Sequence, residues 1–219
     1  MIRIGLVCLI LCCCSCVSKQ SAVVPSAEPA TIRFASSEKV LFRSAPMLSG
    51  RLKQPAGGGP FPAVVLLHGC AGIQAKRDHP WAQRLNEWGY VTLQVDSFRP
   101  RDTTSTCTWS GKELSDILDR RITDAYDAKR YLGSLPIVDS SRIAVMGWSQ
   151  GGTTTVNLLF SEREEPFKTA VALYPSCRHS LADINAPLLI LIGAKDDWTP
   201  AERCVSKMPK EQILHEVFL

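Results

Sequence analysis

From about residue 60 onward, short unbroken apolar runs alternate with segments whose apolar positions recur every three or four residues. Phe61-Pro62-Ala63-Val64-Val65-Leu66-Leu67 is such a run, the pattern of a strand buried on both faces. Residues 81–88 read as a short amphipathic helix closed by Gly89, and residues 90–95 as the next strand. Leu114, Ile117, Leu118, Ile122, Ala125, Ala128, Tyr131 and Leu132 recur at helical spacing, which predicts a long helix ended by Gly133 and Pro136. Strands are predicted at 143–146, 169–174 and 188–192, helices after Ser149 and over 201–208, and a further strand opening at His215. Before residue 60, stretches 31–34 and 45–52 read as an antiparallel ribbon. The alternation predicts an α/β fold with a mostly parallel sheet and helices on both faces.

Gln54-Pro55-Ala56-Gly57-Gly58-Gly59-Pro60 is glycine-rich, but no Lys-Ser/Thr follows it and no helix begins there, so it reads as a loop and not a phosphate cradle. A more telling glycine cluster is Gly147-Trp148-Ser149-Gln150-Gly151-Gly152. It sits between a predicted strand and a predicted helix, the setting of a nucleophile elbow. Ser149 is the candidate nucleophile. Its plainer reading is a helix N-cap after a glycine turn.

A serine hydroxyl needs a base and donors for the oxyanion that forms. In an elbow the first donor is the N–H after the nucleophile, here Gln150. The second comes from the loop after an earlier strand, here His68-Gly69-Cys70-Ala71-Gly72, with Cys70 the first choice and Gly69 the alternative. His68 reads as a support for that loop, with catalytic base as its rival role. The acid is expected in Gly193-Ala194-Lys195-Asp196-Asp197-Trp198-Thr199-Pro200, after the strand at 188–192. Asp196 is preferred there, and Asp197 could instead cap the helix that follows.

The run from Pro62 to Gly72, the stretch Asp96-Ser97-Phe98-Arg99-Pro100-Arg101, the elbow and Gly193-Ala194-Lys195-Asp196 together resemble the dienelactone hydrolase family of α/β-hydrolases. The resemblance covers about residues 45–219. It implies an α/β-hydrolase fold without a cap domain, acyl transfer on small esters or lactones, and Asp196 over Asp197 as the acid. The family's namesake uses a cysteine nucleophile, whereas this chain has Ser149. The resemblance also implies a histidine in a loop after the last strand. That strand is expected to begin near His215, so the histidine is expected beyond Leu219, with the last strand and terminal helix incomplete and weak hydrolysis by a chain of this length. His79, before Pro80 in a predicted loop, and His179 lie on the predicted catalytic rim but out of order for the base.

Trp148 is a candidate wall of the substrate pocket or a residue packed under the elbow. Arg99, with Arg101 and Arg178, could pair with a substrate carboxylate or lie as solvated surface charge. The net charge of +4 is scattered, which excludes a nucleic-acid surface. The chemistry needs only side chains and water, so no cofactor and no metal are expected. A monomer is expected.

Five of nine cysteines fall within the first sixteen residues, where an apolar run from Ile4 to Cys14 follows Arg3. The run is too short to span a bilayer and reads as a secretory signal. Cys13-Cys14-Ser15-Cys16 resembles a lipobox, which predicts a membrane tether through a lipid on Cys16; simple export or a misplaced start are the alternatives. Residues 17–30 read as a tether and 31–219 as the domain. Cys70, Cys107, Cys177 and Cys204 remain, an even number with no Cys-x-x-Cys, so zinc is not expected. The favoured pairing is Cys70–Cys107 with Cys177–Cys204, because Cys70 and Cys107 both follow strand ends on one rim. Four buried free thiols are the alternative.

Overall fold

A computed structural model of the chain describes residues 28–39, 44–162 and 165–209. The expected signal segment, Cys16, most of the tether and the strand from His215 lie outside the described residues. Seven strands form one sheet in the order β1-β2-β4-β3-β5-β6-β7. They are β1 (Ala30–Ala35), β2 (Met47–Lys53), β3 (Phe61–Leu67), β4 (Val91–Asp96), β5 (Val138–Trp148), β6 (Ala170–Leu173) and β7 (Leu188–Leu191). The first two run antiparallel to their neighbours and the remaining five run parallel. The leading ribbon and the parallel sheet therefore take the form their patterning predicts.

The unbroken apolar run of β3 is explained by its place at the centre of the sheet. Ala63, Val65 and Leu67 pack on one face, with Ala125 and Leu132 of α2 (Gly111–Gly133) and Leu158 of α3 (Gln150–Leu158). Val64 and Leu66 pack on the other, with Ala82 and Leu85 of α1 (Ala75–Glu87). Each such valine or leucine contributes about 1.5–3 kcal/mol by leaving water. A short α4 (Ala201–Val205) completes the described helices, and its Cys204 joins Val156 and Ala172 in a third apolar cluster.

Helix α1 begins six residues before the expected start at Trp81, so His79 and Pro80 lie inside a helix and not in a loop. Its start is fixed by Asp78, whose carboxylate accepts the Gln74 N–H at 2.7 Å while Asp78 N–H donates back to the Gln74 carbonyl at 2.8 Å. Pro80 falls early enough to leave only the Lys76 carbonyl without its helical donor, at an exposed position. Strand β5 also reaches further back than expected, because Val138 pairs with Phe61 across an irregularity in register.

Both favoured disulfides are present. Cys70 and Cys107 are joined with Cα atoms 4.8 Å apart, and Cys177 and Cys204 with Cα atoms 4.9 Å apart. The second bond is buried, whereas Cys107 is exposed at the end of the sheet that carries the candidate site.

Candidate active site

Ser149 separates β5 from α3 with φ 53° and ψ −118°. A non-glycine residue at positive φ costs about 1–3 kcal/mol and persists only where its surroundings hold it there. Here they do. Ser149 N–H donates to the Leu173 carbonyl on β6 at 2.9 Å, and Ser149 O accepts the first helical bond from Thr153 at 2.8 Å. The glycines allow close approach: a Cβ on Gly151 would stand 2.5 Å from the His68 carbonyl oxygen, and one on Gly147 would stand 2.6 Å from Thr155 Oγ1. The Ser149 hydroxyl makes no capping bond to the helix, so the N-cap reading does not describe it.

Ser149 opens into a cavity of about 830 Å³ whose walls include Gly69, Cys70, Arg77, Tyr174, Asp196 and Trp198. The parallel strands all end on this side, which is why loops from β3, β5, β6 and β7 meet there. Cys70 is tethered twice, by its disulfide and by the Thr106 N–H that donates to its carbonyl at 2.8 Å. Gln150 opens α3, so its N–H has no intrahelical acceptor.

Asp196 lies on the same cavity. Its Oδ1 accepts the N–H groups of Thr199 at 2.7 Å and Trp198 at 3.0 Å, and its Oδ2 accepts the Thr199 hydroxyl at 2.9 Å. These bonds, the Thr199 N–H foremost, hold the carboxyl below its ordinary range, so it is ionised. Asp197 also lines the cavity but is exposed.

His68 is buried with both ring nitrogens engaged. Nδ1 meets the Gly69 carbonyl at 2.7 Å, and Nε2 accepts the Ser97 N–H at 3.3 Å. This pairing requires the Nδ1–H tautomer. Burial, then the charge of Arg121, pushes the imidazole well below its ordinary pKa, so it is neutral. His68 thus supports the loop. His79 lines a separate hollow with Arg51 and Gln94, and His179 packs edge-on to Phe160. Among the described residues no histidine lines the cavity of Ser149 and Asp196.

Two expectations about the pocket are corrected. Trp148 is only 1% exposed and is absent from the cavity walls. Its side chain points to the α1 face of the sheet, where it meets Trp81 and lies under the Arg77 guanidinium. Arg99 is not in the cavity either. Its side chain is 72% exposed and paired with Asp96 at 3.2 Å, facing the hollow that holds His79. Arg101 is turned inward, bridging Glu38 at 2.6 Å and Asp124 at 2.8 Å, and Arg178 lies at an exposed position. The cations that do face the cavity are Arg77, held by Asp78 at 2.6 Å, and Lys195.

The Arg101 bridge carries a prediction. Asp124 is fully buried, and burial raises its carboxyl pKa while Arg101 opposes the rise. Arg101→Met leaves that carboxylate without its partner and is expected to destabilise the fold by about 3–5 kcal/mol, read by urea unfolding. A loss under about 1 kcal/mol would show that the bridge is not structural.

Sequence reasoning passed over Arg77 and Arg121. For Arg121 a signal existed. It stands four residues after Ile117 and three after Leu118, on the apolar stripe of α2, where a charged residue is out of place.

Comparison with known proteins agrees with this fold. A cutinase named est2 from Thermobifida alba is 32% identical over 150 residues, covering 68% of this chain and 46% of its own length. A Bradyrhizobium protein named as a probable 2-oxo-3-(5-oxofuran-2-ylidene)propanoate lactonase is 26% identical over 181 residues, covering 75% of this chain and 71% of its own. The chain spans about half the length of the Thermobifida cutinases it matches. A dienelactone hydrolase-like promiscuous phosphotriesterase from metagenomic libraries superposes with a TM-score of 0.65 at 19% identity, over 82% of this chain and 74% of that one, a likeness of fold. Residues 48–219 match the dienelactone hydrolase family over most of the chain, and the chain belongs to that family.

Proposed function

We propose that the protein is a serine hydrolase of small carboxylic esters or lactones that works through an acyl-enzyme on Ser149. The observation that carries this reading is the convergence in one cavity of Ser149, held at positive φ on a strand-to-helix turn, with Asp196 and the Gly69–Cys70 backbone. Family membership and the names of the cutinase and lactonase relatives support the substrate class.

In the first half-reaction Ser149 Oγ adds to the substrate carbonyl carbon and passes its proton to an imidazole. The carbonyl oxygen becomes an oxyanion, received by the N–H groups of Cys70 and Gln150. Collapse breaks the ester bond, and the leaving alcohol takes the proton from the imidazolium. Water then repeats the sequence on the acyl-enzyme and releases the carboxylic acid. Asp196 holds the imidazole by its Nδ1–H and stabilises its charged form. The imidazole comes from outside the described residues, since His68, His79 and His179 are all committed elsewhere. Among the described residues the segment between β6 and β7 carries no helix or strand, so no cap domain is inserted there, which supports small esters or lactones as substrates.

A fluorophosphonate tests the nucleophile directly. Incubation followed by peptide mapping is expected to find one adduct, on Ser149. Ester hydrolysis without that adduct, or an adduct on another residue, would overturn the assignment.

A further inference from the structure

Helix α2 places a guanidinium where a leucine would ordinarily pack. Arg121 is 0% exposed, between apolar neighbours that cover the sheet. Taking such a charge out of water costs several kcal/mol unless hydrogen bonds and an opposite charge offset it. Hydrogen bonds are present: Nη2 donates to the His68 carbonyl at 2.5 Å, Nη1 donates to Gln150 Oε1 at 2.7 Å, and the plane lies 5.2 Å from the Phe98 ring centre. A contacting carboxylate is not. Asp124, one turn further along α2, gives both oxygens to Arg101, at 2.8 and 2.9 Å. Arg121 makes no ion pair among the described residues, and its Nε has no hydrogen-bond partner there. A methionine would fill this place at less cost to folding.

The two groups that Arg121 holds flank the candidate oxyanion donors. His68 immediately precedes the Gly69–Cys70 turn on the cavity wall, and Gln150 immediately follows Ser149. The connections close into a ring. Gln150 Nε2 donates to Thr106 Oγ1 at 3.0 Å, and Thr106 N–H donates to the Cys70 carbonyl at 2.8 Å. The Cys70–Cys107 bond fixes the same loop beside Thr106. The ring therefore runs from Arg121 through His68, Gly69, Cys70, Thr106 and Gln150 back to Arg121, and both donors belong to it.

We propose that Arg121 is a positioning residue for the oxyanion pocket: it locks the two arms that carry the donors and sets behind them a positive charge with no carboxylate in contact with it. The proposal rests on Ser149 being the nucleophile. Arg121 touches neither Ser149 nor substrate. Its charge is of little use to a neutral ester and of most use when the carbonyl oxygen becomes negative, so its effect falls on the transition state. Burial lowers its pKa to about 10, which leaves it charged at neutral pH.

The test uses the full-length protein and p-nitrophenyl acetate, with rates expressed per Ser149 titrated by a fluorophosphonate so that misfolded protein is not counted. Arg121→Met is expected to lower kcat about 30- to 100-fold and to change KM less than about threefold. Affinity for a boronic acid that forms a tetrahedral adduct on Ser149 is expected to weaken by a similar factor. Arg121→Lys, which keeps the charge but cannot span both acceptors with one planar fork, is expected to fall between the two. A purely structural role would lower the titratable fraction and leave kcat per site and boronate affinity unchanged; that result overturns the proposal. If Arg121→Met does not fold, Gln150→Met removes the Nη1 acceptor and keeps the backbone N–H. An unchanged kcat per site in that variant overturns the proposal equally. Turnover that Ser149→Ala leaves intact removes the nucleophile assignment and this proposal with it. Ser149-dependent turnover that Arg121→Met leaves intact removes this proposal alone.

Discussion

Ser149→Ala is expected to lower ester turnover by about 10⁵- to 10⁶-fold, the range seen when a nucleophile is removed from a unit that acts together. That corresponds to about 7–8 kcal/mol of lost transition-state stabilisation. Stability is expected to stay within about 1 kcal/mol, because the hydroxyl makes no capping bond and the turn is held by backbone groups. Alanine keeps a Cβ at the same strained backbone position, so the elbow changes little. The combination is diagnostic. A helix cap would show the reverse, a loss of stability with activity intact. Pre-steady-state assay should also lose its burst of p-nitrophenol. Turnover within tenfold of wild type would remove Ser149 from the mechanism.

The elbow and the acid loop were legible in the sequence because each is local. Gly147, Ser149 and Gly151 lie within five residues, so the pattern shows in the sequence, although only Gly147 meets the helix just after, at Gly151 and Thr155, while Gly151 meets Leu67 and His68 at the end of β3. The β3 run was equally plain, since a strand covered on both faces has nowhere to place a polar side chain. What was not legible depends on partners distant in sequence. Arg99 and Arg101 stand two residues apart and meet opposite fates. Asp96 holds the first at the surface, while the second is drawn inward by Glu38, 63 residues away, and by Asp124. Trp148 shares the face of Met146, two residues earlier on β5, and meets Trp81 there on α1, a helix whose start the residue before Pro80 disguises. Strand β5 was read short because Asp139, Ser140 and Ser141 are polar, yet its early residues are placed by Phe61 of β3. The cysteines were the exception. Their pairing joins residues 37 and 27 apart, and it could be reasoned from strand ends alone because both members of the first pair follow strands on one rim.

Asp196→Asn is expected to lower kcat by about 10³- to 10⁴-fold while leaving the loop folded. The loop survives because the asparagine carbonyl can accept the same Thr199 and Trp198 N–H groups, and its amide can donate to the Thr199 hydroxyl, which accepts as readily as it donates. What is lost is the negative charge and the preference for an Nδ1–H imidazole. An amide N–H facing the ring selects the other tautomer, so the nitrogen facing Ser149 carries a proton and cannot take one. The pH dependence separates this from general damage. The native carboxyl is held below its ordinary range by the hydrogen bonds from Thr199, so it stays ionised as pH falls through the ordinary carboxylate range. Its contribution is present above the unfolded pKa and is lost only as pH falls through the lower folded value. The acid limb of kcat/KM should therefore report the imidazole, not Asp196. In Asp196→Asn that limb should move to lower pH, because an imidazolium without its carboxylate partner gives up its proton more readily. If instead Asp197→Asn produced the large loss and Asp196→Asn did not, the acid would be the exposed neighbour, and the hydrogen bonds around Asp196 would be those of a loop and nothing more.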